Sequence, residues 1–241
     1  MPARFAKKAA RAVVIAATAS TVLGSAPAIA ALPGAIIATP GVIDVPCSTA
    51  ALLSAIAIAP GEAILQLAPM CTYTLVRGLE INDALVFQGP ATLARSLANG
   101  TPRFSIITVG TGGDVVTENV NFTNGRADAD APDGGAIDNE GQLWVNSGVF
   151  SDNHAQTYGG AIYNDGELTV NGTEFTGNSA THGGAIANFG TASVTNGQFS
   201  SNTGVKFGGA IQSHGTTDVE SSSFDGNSSL SGGAATTVAA R

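Results

Sequence analysis

Basic side chains are scarce. The 241 residues hold 10 Lys and Arg against 18 Asp and Glu. Arg4, Lys7, Lys8 and Arg11 sit together at the start, and beyond residue 30 only Arg77, Arg95, Arg103, Arg126, Lys206 and Arg241 remain, for a net charge of −12 over 31–241. Along the chain these six are scattered. Nucleic acid and anionic membrane surfaces both call for a basic patch, so neither is an expected partner. Long apolar runs are also missing past residue 30, which leaves no expected transmembrane segment in the mature chain. No serine sits in a nucleophile-elbow motif, and the glycine pairs open no helix that would cradle a phosphate. Only two cysteines occur, Cys47 and Cys71.

What is present begins with an export signal. The basic start is followed by the apolar run AVVIAATASTVLG and then SAPAIA, with Ala28 and Ala30 in a small-x-small pattern. That order predicts a secretory signal peptide over 1–30, cut after about Ala30, leaving a mature domain over 31–241. In an oxidising compartment Cys47 and Cys71 are expected to pair, with two free thiols as the alternative.

The main signal is a repeat. Glycine pairs begin at Gly134, Gly159, Gly183, Gly208 and Gly232, in steps of 25, 24, 25 and 24 residues. Aligned on Ile137, Ile162, Ile186 and Ile211, a valine follows at Val145, Val170, Val194 and Val219. A phenylalanine follows at Phe150, Phe175, Phe199 and Phe224, and an asparagine at Asn153, Asn178, Asn202 and Asn227. The odd residue of the longer steps falls between the asparagine and the next glycine pair.

Within each unit apolar and polar residues alternate, as in Glu167-Leu168-Thr169-Val170-Asn171, which is the period of a strand. A unit this short cannot bury its own apolar face, but stacked copies can. The fold class predicted is therefore all-β, a single parallel β-helix of about eight coils. Equal offsets become columns, with Ile, Val and Phe inside. The Asn153 column, and a shorter one of Asn139, Asn164 and Asn188 with Ser213, are expected to bond up and down as ladders. Upstream, VVTENVNFTNG places Phe122 in the phenylalanine column, RADADAPD (126–133) reads as an inserted loop, and ITVG, LVFQG and ATLARS read as short strands. STAALLSAIAIAPG (48–61) reads as a short N-terminal helix that caps the first coil, tied down by a Cys47–Cys71 bridge. No comparable cap is visible at the other end, which leaves end-to-end self-association open.

The GGAI and FxxN elements, as Gly134-Gly135-Ala136-Ile137 with Phe150 and Asn153 and their three successors, resemble the polymorphic outer membrane protein repeat over about 134–235. The stretch holding CSTAALLSAI and LAPMCTYTL resembles the opening of secreted β-helix proteins of the pectin-lyase-like type. These resemblances imply a right-handed β-helix that is exported, located outside the cell or at its surface with outer-membrane association, and often adhesive.

Candidate chemistry is sparse. Stacking brings Asp138, Glu140, Asp165 and Glu167 to neighbouring positions, an acidic patch with the oxygen donors a Ca²⁺ ion takes. The competing reading is a set of solvated turn residues. Asp128, Asp130 and Asp133 in the inserted loop form a second, weaker chelating pattern that lacks the glycine turn and closing glutamate of an EF-hand. His154, His182 and His214 stand at different offsets and are expected at the surface without converging. Trp144 and Tyr163 point outward by strand parity. No catalytic residue and no required cofactor are expected. The leading functional expectation is a non-catalytic adhesion or structural module that meets a polysaccharide or host-cell-surface ligand. The alternative is a polysaccharide lyase or hydrolase.

Overall fold

The computed structural model describes residues 41–128 and 133–237. The expected signal peptide, 1–30, and Asp130 of the inserted loop lie outside the described residues.

The repeats form a parallel β-solenoid. One sheet stacks strands eight deep in register, from Val42–Val45 through Ala63–Leu67, Ala84–Arg95, Asp114–Thr123, Gln142–Asn146, Glu167–Asn171 and Thr191–Thr195 to Thr216–Glu220. A second sheet has seven rungs, from Leu79–Ile81 to Ala235–Thr237, and a third has five. The molecule thus makes about seven turns where about eight were expected, because the first strand belongs to the cap and not to a full coil. LVFQG and ATLARS also differ from expectation. They are one twelve-residue strand, Ala84–Arg95, whose register shifts between Gln88 and Ala91.

Like stands over like. Phe122, Phe150, Phe175, Phe199 and Phe224 are paired in register, and their rings stack with centroids 4.7, 5.0, 4.8 and 4.9 Å apart. That is the spacing of neighbouring strands, so face-to-face rings cost the backbone nothing. Ile137, Ile162, Ile186 and Ile211 are likewise in register and buried.

At the corner after each phenylalanine the Asn153 column forms a continuous amide ladder. Nδ2 of Asn153 donates to Oδ1 of Asn178 at 3.0 Å, Asn178 to Asn202 at 2.9 Å, and Asn202 to Asn227 at 2.9 Å. The second proton of each amide goes to the carbonyl of Phe122, Phe150, Phe175 or Phe199 in the coil before. The shorter column behaves alike. Asn139 donates to Asn164 at 2.6 Å and Asn164 to Asn188 at 2.7 Å, after which Thr217 and Ser213 hydroxyls continue the chain. It stops downward at Asn139, whose Oδ1 has no partner because Val109 is next in that column.

The glycine pairs sit where no side chain fits. Gly159 has φ +64°, and a Cβ on Gly160 would overlap the carbonyl oxygen of Gly184 one coil on. The alternating period is absorbed just before these pairs. The third sheet carries register shifts between Ala180 and His182 and between Gly204 and Phe207.

A single ten-residue helix, α1 (Thr49–Ile58), closes the first coil. Ser48 caps it by accepting from Ala51 N, and it ends before Pro60. Leu52 and Ala55 enter the core. The Cys47–Cys71 disulfide fastens its start to the strand Cys71–Leu75.

Phe175→Ala should destabilise the fold by about 3–5 kcal/mol in urea unfolding, as deletion of a buried ring does. Asn178→Ala, which orphans buried groups on two neighbouring coils, should cost about 2–4 kcal/mol. Asn227→Ala should cost less, because that end of the ladder is only partly buried.

Candidate functional site

Outward positions follow the same columns but carry no repeated residue. Three columns on the face of the second sheet make a grid. The column before the glycine pairs runs Asp133, Tyr158, His182, Phe207. The column after the isoleucines runs Asp138, Tyr163, Ala187, Gln212. The column after the shorter asparagine ladder runs Glu140, Asp165, Phe189, His214, held by amides bonded to the carbonyls of Val109, Asn139, Asn164 and Asn188. The lowest rung is all carboxylate, the second sets Asp165 beside Tyr158 and Tyr163, and the upper two carry His182, Phe189, Phe207 and His214 with Ala187 and Gln212.

The rings gather over Ala187, which is fully buried beneath them. Tyr158 lies 6.3 Å from Tyr163, 4.9 Å edge-on from Phe189 and 5.0 Å in stacking contact with His182. Tyr163 and Phe189 are 5.4 Å apart. His182 stacks on Phe207 at 5.5 Å and His214 on Phe189 at 4.6 Å. Two of the histidines expected to stand apart thus share one aromatic surface, because neighbouring columns meet across it. Gln212 Nε2 lies 2.9 Å from His214 Nε2, while Gln212 Oε1 and His182 Nδ1 have no hydrogen-bond partner. Burial, then the nearby Lys206 and His214 charges, lower the pKa of His182, with the Gln212 amide pulling the other way. His154 lies elsewhere, its Nδ1 3.0 Å from Ser179 Oγ.

Below the rings the carboxylates crowd. Burial, then Glu140, Asp133 and Asp165, push the pKa of Asp138 from 3.8 up to about 6. Burial, then Asp165, Asp133 and Asp138, push the Tyr163 hydroxyl up to about 12. The structure therefore brings Asp138, Glu140 and Asp165 together and adds Asp133, which donates no charge relief but accepts the backbone N–H of Tyr158 at 2.9 Å. Glu167 stands on the next sheet, exposed and in register with Gln142. Asp128 is ion-paired with Arg103. Among the described residues no group of three or more His, Cys, Asp or Glu is arranged to hold a metal ion.

Chemically this face offers flat apolar rings beside oxygen acceptors that carry negative charge. It can stack on a sugar ring, accept hydrogen bonds from hydroxyls and attract cations. The face was missed in sequence because its residues do not repeat. The signal was there in the outward offsets, where Tyr158, Tyr163, His182, Phe189, Phe207 and His214 replace the carboxylates of the first repeat.

Residues 147–165 and 172–188, which hold two asparagines of each ladder, match the Chlamydia polymorphic membrane protein repeat. These two segments are what the chain shares with that repeat. Comparison with curated proteins and with solved structures finds no significant match. Tyr158, Tyr163 and His182 of the outward face all fall inside the matched segments. Among the described residues no helix is long and apolar enough to cross a membrane.

The raised pKa of Asp138 has a pH signature. Between about pH 4 and pH 6 the folded chain keeps the Asp138 proton that the unfolded chain has already released. Asp138 therefore costs stability as pH rises through that window. Asp138→Asn should stabilise the fold at pH 7 by roughly 2 kcal/mol, and the gain should vanish near pH 3.5, as read by urea unfolding at both pH values.

Proposed function

We propose that the chain is a surface or outer-membrane β-solenoid that acts as a non-catalytic adhesive module. Export through residues 1–30 and a mature domain from 31 onward belong to this reading. The matched repeat supports the cell-surface location. One observation carries the binding role, the outward aromatic strip of Tyr158, Tyr163 and Phe189 flanked by Asp133, Asp138 and Asp165.

Solvated rings and acceptors in that arrangement suit a glycan, with rings taking the apolar faces of sugars and carboxylates taking hydroxyl or ammonium donors. The uncompensated negative charge works against polyuronates and favours neutral or amino sugars. The rigid ladders beneath hold the strip in one geometry, so little ordering is needed on binding. Calcium at Asp138, Glu140, Asp165 and Glu167 plays no part in this reading.

A second reading, a polysaccharide lyase or hydrolase, is favoured by Asp138 alone. A carboxyl group titrating at about 6 has the protonation range of a general acid. Turnover of acidic polysaccharides with and without Ca²⁺, abolished in Asp138→Asn, would support it over adhesion.

For the adhesive reading, the purified chain should bind immobilised neutral or amino-sugar glycans. The Tyr163→Ala/Phe189→Ala double variant should bind at least about tenfold more weakly, near 1.4 kcal/mol, while still melting cooperatively. Binding to amino sugars should fall as salt is raised. A folded double variant with unchanged glycan binding would defeat the assignment to this face.

A further inference from the structure

The six basic side chains beyond residue 30 are far apart in sequence, yet four of them meet in space at the capped end of the solenoid. Arg77 and Arg103 line a cavity of about 810 Å³ beside α1. Arg95 stands behind it with its guanidinium 5.8 Å from the centre of the Phe104 ring, donating to the carbonyls of Pro102 at 2.8 Å and Thr101 at 3.0 Å. Arg126 pairs its backbone with that of Phe104. Burial, then Arg126 and Arg103, lower the pKa of both Arg95 and His154, which records how closely these charges are gathered. In a chain with an acidic excess this is a local reversal of sign.

Part of the cavity wall is apolar. Leu53 and Ile56 of α1, together with Leu79 and Phe104, supply that part. Leu53, Ile56 and Phe104 are partly buried against the core, so they form a firm surface. Glu80 and Asp128 also line the cavity, and Asp128 is ion-paired with Arg103. At the wall itself Arg77 and Arg103 stand against Glu80 and Asp128, with Arg95 and Arg126 close by to add positive charge, and Arg77 has no hydrogen bond or ion pair among the described residues. The volume lies within the range of roughly 300–1,000 Å³ typical of small-molecule sites.

An unpaired guanidinium beside an apolar wall is complementary to an anion that carries a hydrocarbon body. A planar carboxylate matches the guanidinium fork, and a tail removes apolar wall from water. We propose that this cavity binds a single small amphiphilic carboxylate, with its head on Arg77 and Arg103 and its tail along Leu53, Ile56 and Phe104. This site is separate from the aromatic face and does not depend on the adhesive reading.

Calorimetric titration of the intact chain with decanoate and with decyltrimethylammonium, both below their micelle concentrations, tests it. Decanoate should bind saturably at one site, and the cation at least about tenfold more weakly, a difference of 1.4 kcal/mol or more. Arg77→Gln/Arg103→Gln should weaken decanoate at least about tenfold. Ala57→Trp, at an exposed position of α1 that lines the cavity, should do so by filling it while the chain still melts as the parent does. Absence of saturable decanoate binding would overturn the proposal. So would equal binding of the cation, or full affinity in the folded double variant.

Discussion

A carboxamide buried in a protein must place two protons and an oxygen, or it costs more than the fold can spare. In this solenoid every internal amide of the long asparagine column places them on its neighbours one coil away, with the phenylalanine carbonyl of the coil before taking the second proton. That requirement sets registry. If a coil slipped by one residue, each of its amides would leave the column and strand the buried groups it satisfies on the coils above and below. The stacked rings are tolerant of small slips, since apolar contact is non-directional. The amides are not, and they make the stack one structure out of the many that apolar packing alone would allow.

Because the interior fixes the backbone so firmly, the outer positions are left to vary. The outward columns show this. One column passes from Asp138 through Tyr163 and Ala187 to Gln212 without disturbing the strand register beneath. The surface therefore changes character along the axis, from crowded carboxylates, among which Asp138 holds its proton to about pH 6, to an aromatic and imidazole surface. At the capped end a third kind of surface appears, where arginines from several turns collect around the helix. A rigid stack with freely chosen outer positions is well suited to carrying distinct recognition surfaces side by side.

Much of the interior was legible in the sequence, and for a physical reason. A column that must be filled identically on each coil leaves a residue at a fixed offset, so Phe150, Phe175, Phe199 and Phe224 announced their stack. The Ser48 cap, the Pro60 stop and the one-coil separation of Cys47 and Cys71 announced the cap. The candidate surfaces were less legible. Tyr158 and His182 share the column before the glycine pairs while Phe189 belongs to another, and the three meet only because those columns are close in space. The arginines were harder still. Arg77 and Arg103 lie in the early turns, where repeat spacing is irregular, so their shared cavity could be found only from the arrangement of the chain in space.

The register shifts in the third sheet have a wider consequence. Both amide columns and the phenylalanine stack lie on the other two sides, so a coil can gain a residue just before its glycine pair while every internal bond is kept. The stretch read as an inserted loop in fact opens as the first rung of that sheet, with Arg126–Ala127 paired with His154–Ala155. That side works as an expansion joint, taking up the uneven length of successive turns so that the rest of the tower stays in step.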